Sequence, residues 1–383
     1  MEKEPNPARR SALGKISATM LLGAVGLAGG AHAQTTGASN PTASGAGPGT
    51  PGYRCSCGIV DAHSHFLPPV YAAALADAGL VTLDGGFPVP QWSEEKALEH
   101  MDRQGIEASM LSVSSPTVSF LKDSLARQRL AREINEYAAA LVKRRPNRFG
   151  AFATLPMPDV PAALAELGYA LDVLHLDGVV METNVHGVYL GNPALDSIFA
   201  ELDRRRATLF LHPTSPPCLE AVGLGRAAPI LEFPMDTART VTDLVFAGTL
   251  TRYPNIRMII PHAGGALTAV AERIAGFSTL PFLKQRPAGG AEEVNRVLAA
   301  LYYDLAGSAS NASIERLRRL TSLTHVLFGS DFPFTPPAGV TANVENFRTL
   351  SGVTAAEHEG IAKGNALRLF PRLSAGAGGT PKT

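Results

Sequence analysis

The chain has 383 residues, 45% hydrophobic and 18% charged, with 34 Lys plus Arg against 34 Asp plus Glu. This length and apolar content allow a large buried core, and the balanced charge argues against nucleic acid or an acidic membrane surface as the main partner. Three cysteines, Cys55, Cys57 and Cys218, are too few for a disulfide framework and carry no catalytic expectation.

In chain order, residues 1–33 read as an export signal rather than as part of a fold. Arg9-Arg10 precede an uncharged stretch over 16–30, and Ala31-His32-Ala33 offers a small-x-small cleavage site. The twin arginines resemble a twin-arginine signal, with Ala12 where Phe is common. The apolar stretch is short against the ~20 residues of a membrane span. The expectation is a periplasmic or otherwise exported protein with no membrane anchor after cleavage. Residues 34–57 are mostly Gly, Ser, Thr, Ala and Pro, a flexible linker, and 372–383 form a similar tail.

From residue 58 to 371 short apolar runs alternate with helical patterns. Strands are predicted at 58–63, 108–113, 150–155, 178–182, 208–212, 257–261, 301–305 and 325–329. Helices are predicted at 93–104, 119–144, 160–174, 193–206, 237–252, 265–274, 312–320 and 354–370. Near-continuous apolar strands alternating with helices indicate parallel strands covered on both faces. Eight such units predict an α/β fold, a single-domain (β/α)8 TIM barrel, whose chemistry belongs at the C-terminal strand ends. No Gly-rich phosphate-binding motif follows any strand.

Those strand ends carry the informative residues. Asp61-Ala62-His63-Ser64-His65 ends the first strand, and residues two apart on a strand point to one face. Two imidazoles there suit zinc or a similar metal. His212 ends Leu-Phe-Leu and, beside His63 and His65, reads as a third ligand. Asp331 in Phe-Gly-Ser-Asp-Phe-Pro adds an anionic oxygen that can also move a proton; the alternative is a turn acid. His262, in Ile-Ile-Pro-His-Ala-Gly-Gly, could be a fourth ligand, a structural partner or a general base, and the base is favoured.

Asp-Ala-His-Ser-His-Phe-Leu-Pro, Phe-Leu-His-Pro, Ile-Pro-His-Ala-Gly-Gly and Phe-Gly-Ser-Asp-Phe-Pro together resemble the amidohydrolase-related family (amidohydrolase 2). Within it they are similar to the aminocarboxymuconate-semialdehyde decarboxylase branch, over roughly residues 58–371. The resemblance implies His63, His65, His212 and Asp331 as ligands of one divalent ion, zinc first and manganese as the alternative. It also implies a catalytic His262 and a homodimer. It places Arg273, eleven residues after His262, where family members have an arginine that reaches a neighbouring subunit's substrate carboxylate; the plain alternative is a helix-surface arginine. The family's other substrate-anchoring arginine has no counterpart, because no Lys or Arg lies between Val70 and Glu94. Gly85-Gly86-Phe87 and Trp92 stand there instead. An aromatic or otherwise apolar acid stacking near Trp92 or Phe334 fits that stretch better than a muconate semialdehyde. No lysine marks the end of the fourth strand, where Glu182-Thr183-Asn184 lie, so one metal ion is expected rather than two.

The expected function is metal-dependent, non-oxidative decarboxylation of a small hydroxyaromatic or unsaturated carboxylic acid, with His262 and Asp331 handling protons. The alternatives are hydrolysis of an amide, ester or lactone at the same metal, and a non-catalytic metal-binding barrel.

Overall fold

A computed structural model describes residues 57–374. The residues expected to form an export signal, and nearly all of those expected to form a linker, therefore lie outside the described residues. Eight parallel strands form one sheet: β1 (Ile59–His65), β2 (Ile106–Ser112), β3 (Phe149–Thr154), β4 (Gly178–Glu182), β5 (Thr208–His212), β6 (Arg257–Ile260), β7 (Tyr302–Asp304) and β8 (Val326–Leu327). All eight predicted strands are present, with shifted ends and a much shorter β8. Parallel bridges Asp61–Phe328 and Ser64–Phe332 join β8 back to β1 and close the barrel. The Ala62 N–H donates to the Phe328 carbonyl at 2.9 Å and the His65 N–H to the Phe332 carbonyl at 2.7 Å.

Alternation along the strands fills the barrel. Val60, Ala62, Met110, Phe152, Val180, Phe210, Ile259 and Leu327 point inward and pack together. Ala366, Leu369, Phe370 and Leu373 close the end opposite the mouth. Of the tail expected over 372–383, only residues 372–374 are described, and they are ordered structure. Residues Pro371–Ser374 form a 3-10 turn, and Arg372 binds Asp177 and the carbonyls of Pro146 and Phe149 at the strand entrances.

Three helices of nine residues or more escaped the sequence reading, Pro69–Asp77, Gly290–Ala300 and Pro337–Arg348, as did the single turn Leu219–Val222. Prolines and paired glycines at their starts read as loop signals, although Pro suits the first helical turn, where its missing N–H has no partner to lose. The helix expected over 237–252 instead starts at Ala228 and runs to Phe246 through Pro234. Its early turns bring Pro229, Phe233 and Pro234 to the mouth.

Candidate active site

Three histidines meet at the mouth, and their hydrogen bonds determine which nitrogen faces inward. His63 Nδ1 lies 2.9 Å from Asp304 Oδ2, His65 Nδ1 3.2 Å from the Ser112 carbonyl, and His212 Nδ1 2.8 Å from the Pro213 carbonyl. Each of these partners only accepts, so each Nδ1 carries a proton and, in the neutral ring, each Nε2 presents a lone pair. The Nε2 atoms of His63 and His65 stand 3.1 Å apart, and the donor atoms of His63, His65 and His212 lie within 4.8 Å of one another. Asp331 Oδ1 joins them, 3.1 Å from His65 Nε2 and 3.5 Å from His63 Nε2. Inward-facing lone pairs repel unless a cation lies between them, so the donor set fits a divalent metal.

The electrostatics agree. Burial holds His65 below its ordinary value and His212 well below it, keeping both in the neutral form that ligates. Burial would also lower His63, but the Asp304 and Asp331 carboxylates reverse this and push it up to about 10, so the pocket favours positive charge at this point. Burial raises Asp331, yet the neighbouring His262, His63 and His65 rings outweigh it and hold that carboxyl well below the usual range.

Asp331 faces two ways. While Oδ1 meets the histidines, Oδ2 lies 3.7 Å from His262 Nε2 and accepts from Thr335 Oγ1 at 3.3 Å. Both residues occupy left-handed backbone, with φ of +59° at Asp331 and +55° at His262. Such conformations persist where surrounding bonds over-determine them. The Asp331 N–H donates to the His63 carbonyl at 2.8 Å, and the His262 N–H to Asp304 Oδ1 at 3.0 Å.

Asp304, at the end of β7, was not among the expected site residues. Fully buried, it accepts from the His63 ring and from the His262 and Ala306 N–H groups, tying the first strand's histidine to the catalytic candidate. Its signal in the sequence was the one that exposed Asp331: an acid closing an apolar strand.

Beside this cluster lies a cavity of about 310 Å³, bordered by His212, His262 and Asp331. Its apolar walls include Phe87, Phe233 and Phe334, and no Lys or Arg is among its lining residues. Phe334 sits edge-on to His65 with centroids 5.2 Å apart and meets Phe87 at 5.9 Å. Asp84 positions the Phe87 loop. Its carboxylate accepts from Ser115 Oγ (3.0 Å), Thr214 Oγ1 (2.7 Å), Ser215 N–H (2.7 Å), Ser215 Oγ (2.5 Å) and Gly85 N–H (2.9 Å).

Two expected substrate contacts are not brought to this cavity. Trp92 packs into the core instead, edge-on to Phe66 at 6.1 Å and to Tyr137 at 6.5 Å. It precedes the helix Glu94–Gln104 on the outer side of the loop, and Phe87 takes the mouth position. Arg273 is exposed on the helix Leu267–Phe277, 4.2 Å over the Phe277 ring, and does not line this chain's cavity.

Known proteins share this architecture. The chain is 36% identical to the decarboxylase yanB of Aspergillus niger, covering 82% of this chain and 88% of that one. It is 36% identical to the 6-methylsalicylic acid decarboxylase acuB of Aspergillus aculeatus over 84% and 99%. Identity to the 2-amino-3-carboxymuconate-6-semialdehyde decarboxylase of Dictyostelium discoideum is 25%, over 73% and 77%. The crystal structure of an amidohydrolase II superposes with a TM-score of 0.76 at 33% identity, covering 82% of this chain and 99% of that one. A dihydroxybenzoic acid decarboxylase from Polaromonas, solved with manganese and 2-nitroresorcinol, shares the fold at a TM-score of 0.69 and 22% identity, over 82% and 97%. With residues 60–372 also matching the Amidohydrolase family as a whole, this chain belongs to that family, in the branch that includes the aminocarboxymuconate-semialdehyde decarboxylases.

Proposed function

We propose that this protein is a metal-dependent carboxy-lyase that removes carbon dioxide, without oxidation, from a small hydroxybenzoic acid. The observation that carries the reading is the convergence of three imidazole lone pairs and Asp331 Oδ1 beside an aromatic-walled cavity. The relatives at 36% identity are decarboxylases, one of them of 6-methylsalicylic acid. His63, His65, His212 and Asp331 would hold one divalent ion. Three nitrogens and one oxygen suit zinc, and manganese is the alternative. Bound there, the ion would supply a Lewis-acid centre for the substrate's carboxylate and adjacent hydroxyl.

The chain's own groups do the rest. Phe87, Phe233 and Phe334 exclude water and orient the ring. His262, whose Nε2 lies 3.7 Å from Asp331 Oδ2, delivers a proton to the ring carbon that bears the carboxylate. The carbon–carbon bonding pair then stays with the ring and carbon dioxide departs. No Lys or Arg of this chain lines the cavity to meet a second acidic group, so the favoured substrates carry one carboxylate and small apolar ring substituents.

Arg273 supports a homodimer in which it serves the partner's site, since it cannot serve its own cavity from the exposed face of its helix. The paired arginines and the Ala31-His32-Ala33 site support export to the periplasm. Product analysis tests the reaction: metal-quantified protein should release equimolar carbon dioxide and phenol from an alkyl-substituted salicylate. His262→Ala should retain metal and lose turnover by roughly 10²-fold or more. Cleavage of esters or amides with no carbon dioxide from any hydroxybenzoate would overturn the proposal.

A further inference from the structure

We infer that Asp61 is a positioning residue for the metal centre: its carboxylate locks β1 to the turn after β8, so that His63, His65 and Asp331 close on one point. The inference rests on the reading of that cluster as a metal centre. His63 and His65 come from β1 and Asp331 from the turn after β8, on the two sides of the seam where the barrel closes through isolated bridges and a few backbone hydrogen bonds. Asp61 spans that seam. Its Oδ1 accepts the His63 N–H at 3.1 Å and the Ser330 N–H at 2.9 Å, and its Oδ2 accepts the Ser330 hydroxyl at 2.6 Å. Ser330 Oγ in turn accepts the Phe332 N–H at 3.1 Å, so one carboxylate fixes the backbone on both sides of Asp331.

The turn also has no slack. A Cβ placed on Gly329 would lie 2.9 Å from the Cβ of His63 and 3.1 Å from Asp304 Oδ1. Asp61 and Ser330 are both fully buried and neither lines the cavity, and both Asp61 oxygens are taken up by the His63 and Ser330 groups they accept from. Its effect passes through the residues it holds. Ligand geometry tolerates displacements of only ~0.5 Å, and a slip at this seam would move Asp331 relative to both histidines.

Position and charge can be separated. In Asp61→Asn, the amide oxygen keeps both backbone N–H groups. Its Nδ2 donates to Ser330 Oγ, whose own proton turns toward the His63 carbonyl 3.5 Å away. Asp61→Ala removes all three contacts. The test is cobalt(II) binding to the metal-stripped full-length protein, read by competition with a chelator and by the cobalt ligand-field absorption, alongside melting of the metal-free forms. Asp61→Asn should bind within about 3-fold of wild type with the same absorption envelope. Asp61→Ala should bind about 10- to 100-fold more weakly with an altered envelope. If Asp61→Ala does not fold, Ser330→Ala, which loses the hydroxyl contacts and keeps the Ser330 N–H bond, should show a smaller change of the same kind. Wild-type affinity and spectrum in Asp61→Ala, or in Ser330→Ala where that variant stands in, would overturn the inference. So would Asp61→Asn as weak as Asp61→Ala, because charge and not position would then control the site. Wild-type protein that takes up no cobalt would overturn the metal centre itself, and this inference with it.

Discussion

Replacing Asp304 with asparagine exchanges one oxygen for an NH2 group, and the geometry leaves the new side chain no good orientation. If its oxygen stays on the His262 and Ala306 N–H groups, 3.0 and 2.9 Å away, the NH2 group faces His63 Nδ1 at 2.9 Å. Two donors would then oppose each other. His63 must accept through Nδ1 and move its proton to Nε2, the atom 3.1 Å from His65 Nε2. A protonated Nε2 cannot ligate. If the amide is flipped, His63 keeps its tautomer but two buried backbone donors lose their acceptor, at about 1–3 kcal/mol each. Losing an outer partner of a ligating histidine typically weakens metal binding 10- to 100-fold, or about 1.4–2.7 kcal/mol. The expected result for Asp304→Asn is a dissociation constant higher by that factor in chelator competition, with turnover recovering at high metal concentration if the first orientation prevails. Unchanged metal affinity together with an unchanged melting temperature would refute the reasoning.

Other perturbations probe the surrounding structure. Burial, with Asp84 adding to it, pushes Glu182 at the end of β4 from 4.5 up to about 8. The folded state therefore holds this proton more tightly than the unfolded chain. The resulting stabilisation is full below pH 4.5 and is lost as pH rises through about 8, by at most roughly 5 kcal/mol. Glu182→Gln should flatten the dependence of melting temperature on pH across that window, and superimposable curves for the two proteins would contradict it. Gly265→Ala puts a side chain on a residue with φ of +55° and a Cβ 2.8 Å from the Pro234 carbonyl, and should destabilise by about 2–4 kcal/mol in denaturant melts; an unchanged midpoint would show that the turn after His262 can relax. Trp92→Phe should leave the KM for the aromatic acid unchanged and stability within about 1 kcal/mol, because Trp92 Nε1 has no hydrogen-bond partner among the described residues. A tenfold rise in KM would return Trp92 to the substrate wall.

The barrel was legible because parallel strands write themselves as apolar runs, and its mouth because polar residues end those runs. His63, His65, His212, His262 and Asp331, spread over 269 positions of sequence, meet for that reason. Asp304 satisfied the same rule, but its partner His63 lies 241 positions away and its role behind that ring leaves no local pattern. The choice between Phe87 and Trp92 was beyond local pattern too. It depends on Asp84, which reaches residues 115, 214 and 215, and bonds of that range leave no periodicity to read. The missed helices Pro69–Asp77 and Pro337–Arg348 open on Pro and Gly290–Ala300 follows Gly289, residues whose local pattern is shared with loops.

The most direct test of the central claim is carbon dioxide evolution from an alkyl-substituted salicylate by metal-stripped protein, followed as zinc or manganese is added back. The account expects no evolution from the stripped protein and a rate that rises to a plateau at one ion per chain. Full-rate carbon dioxide release from protein shown to hold no metal would contradict it.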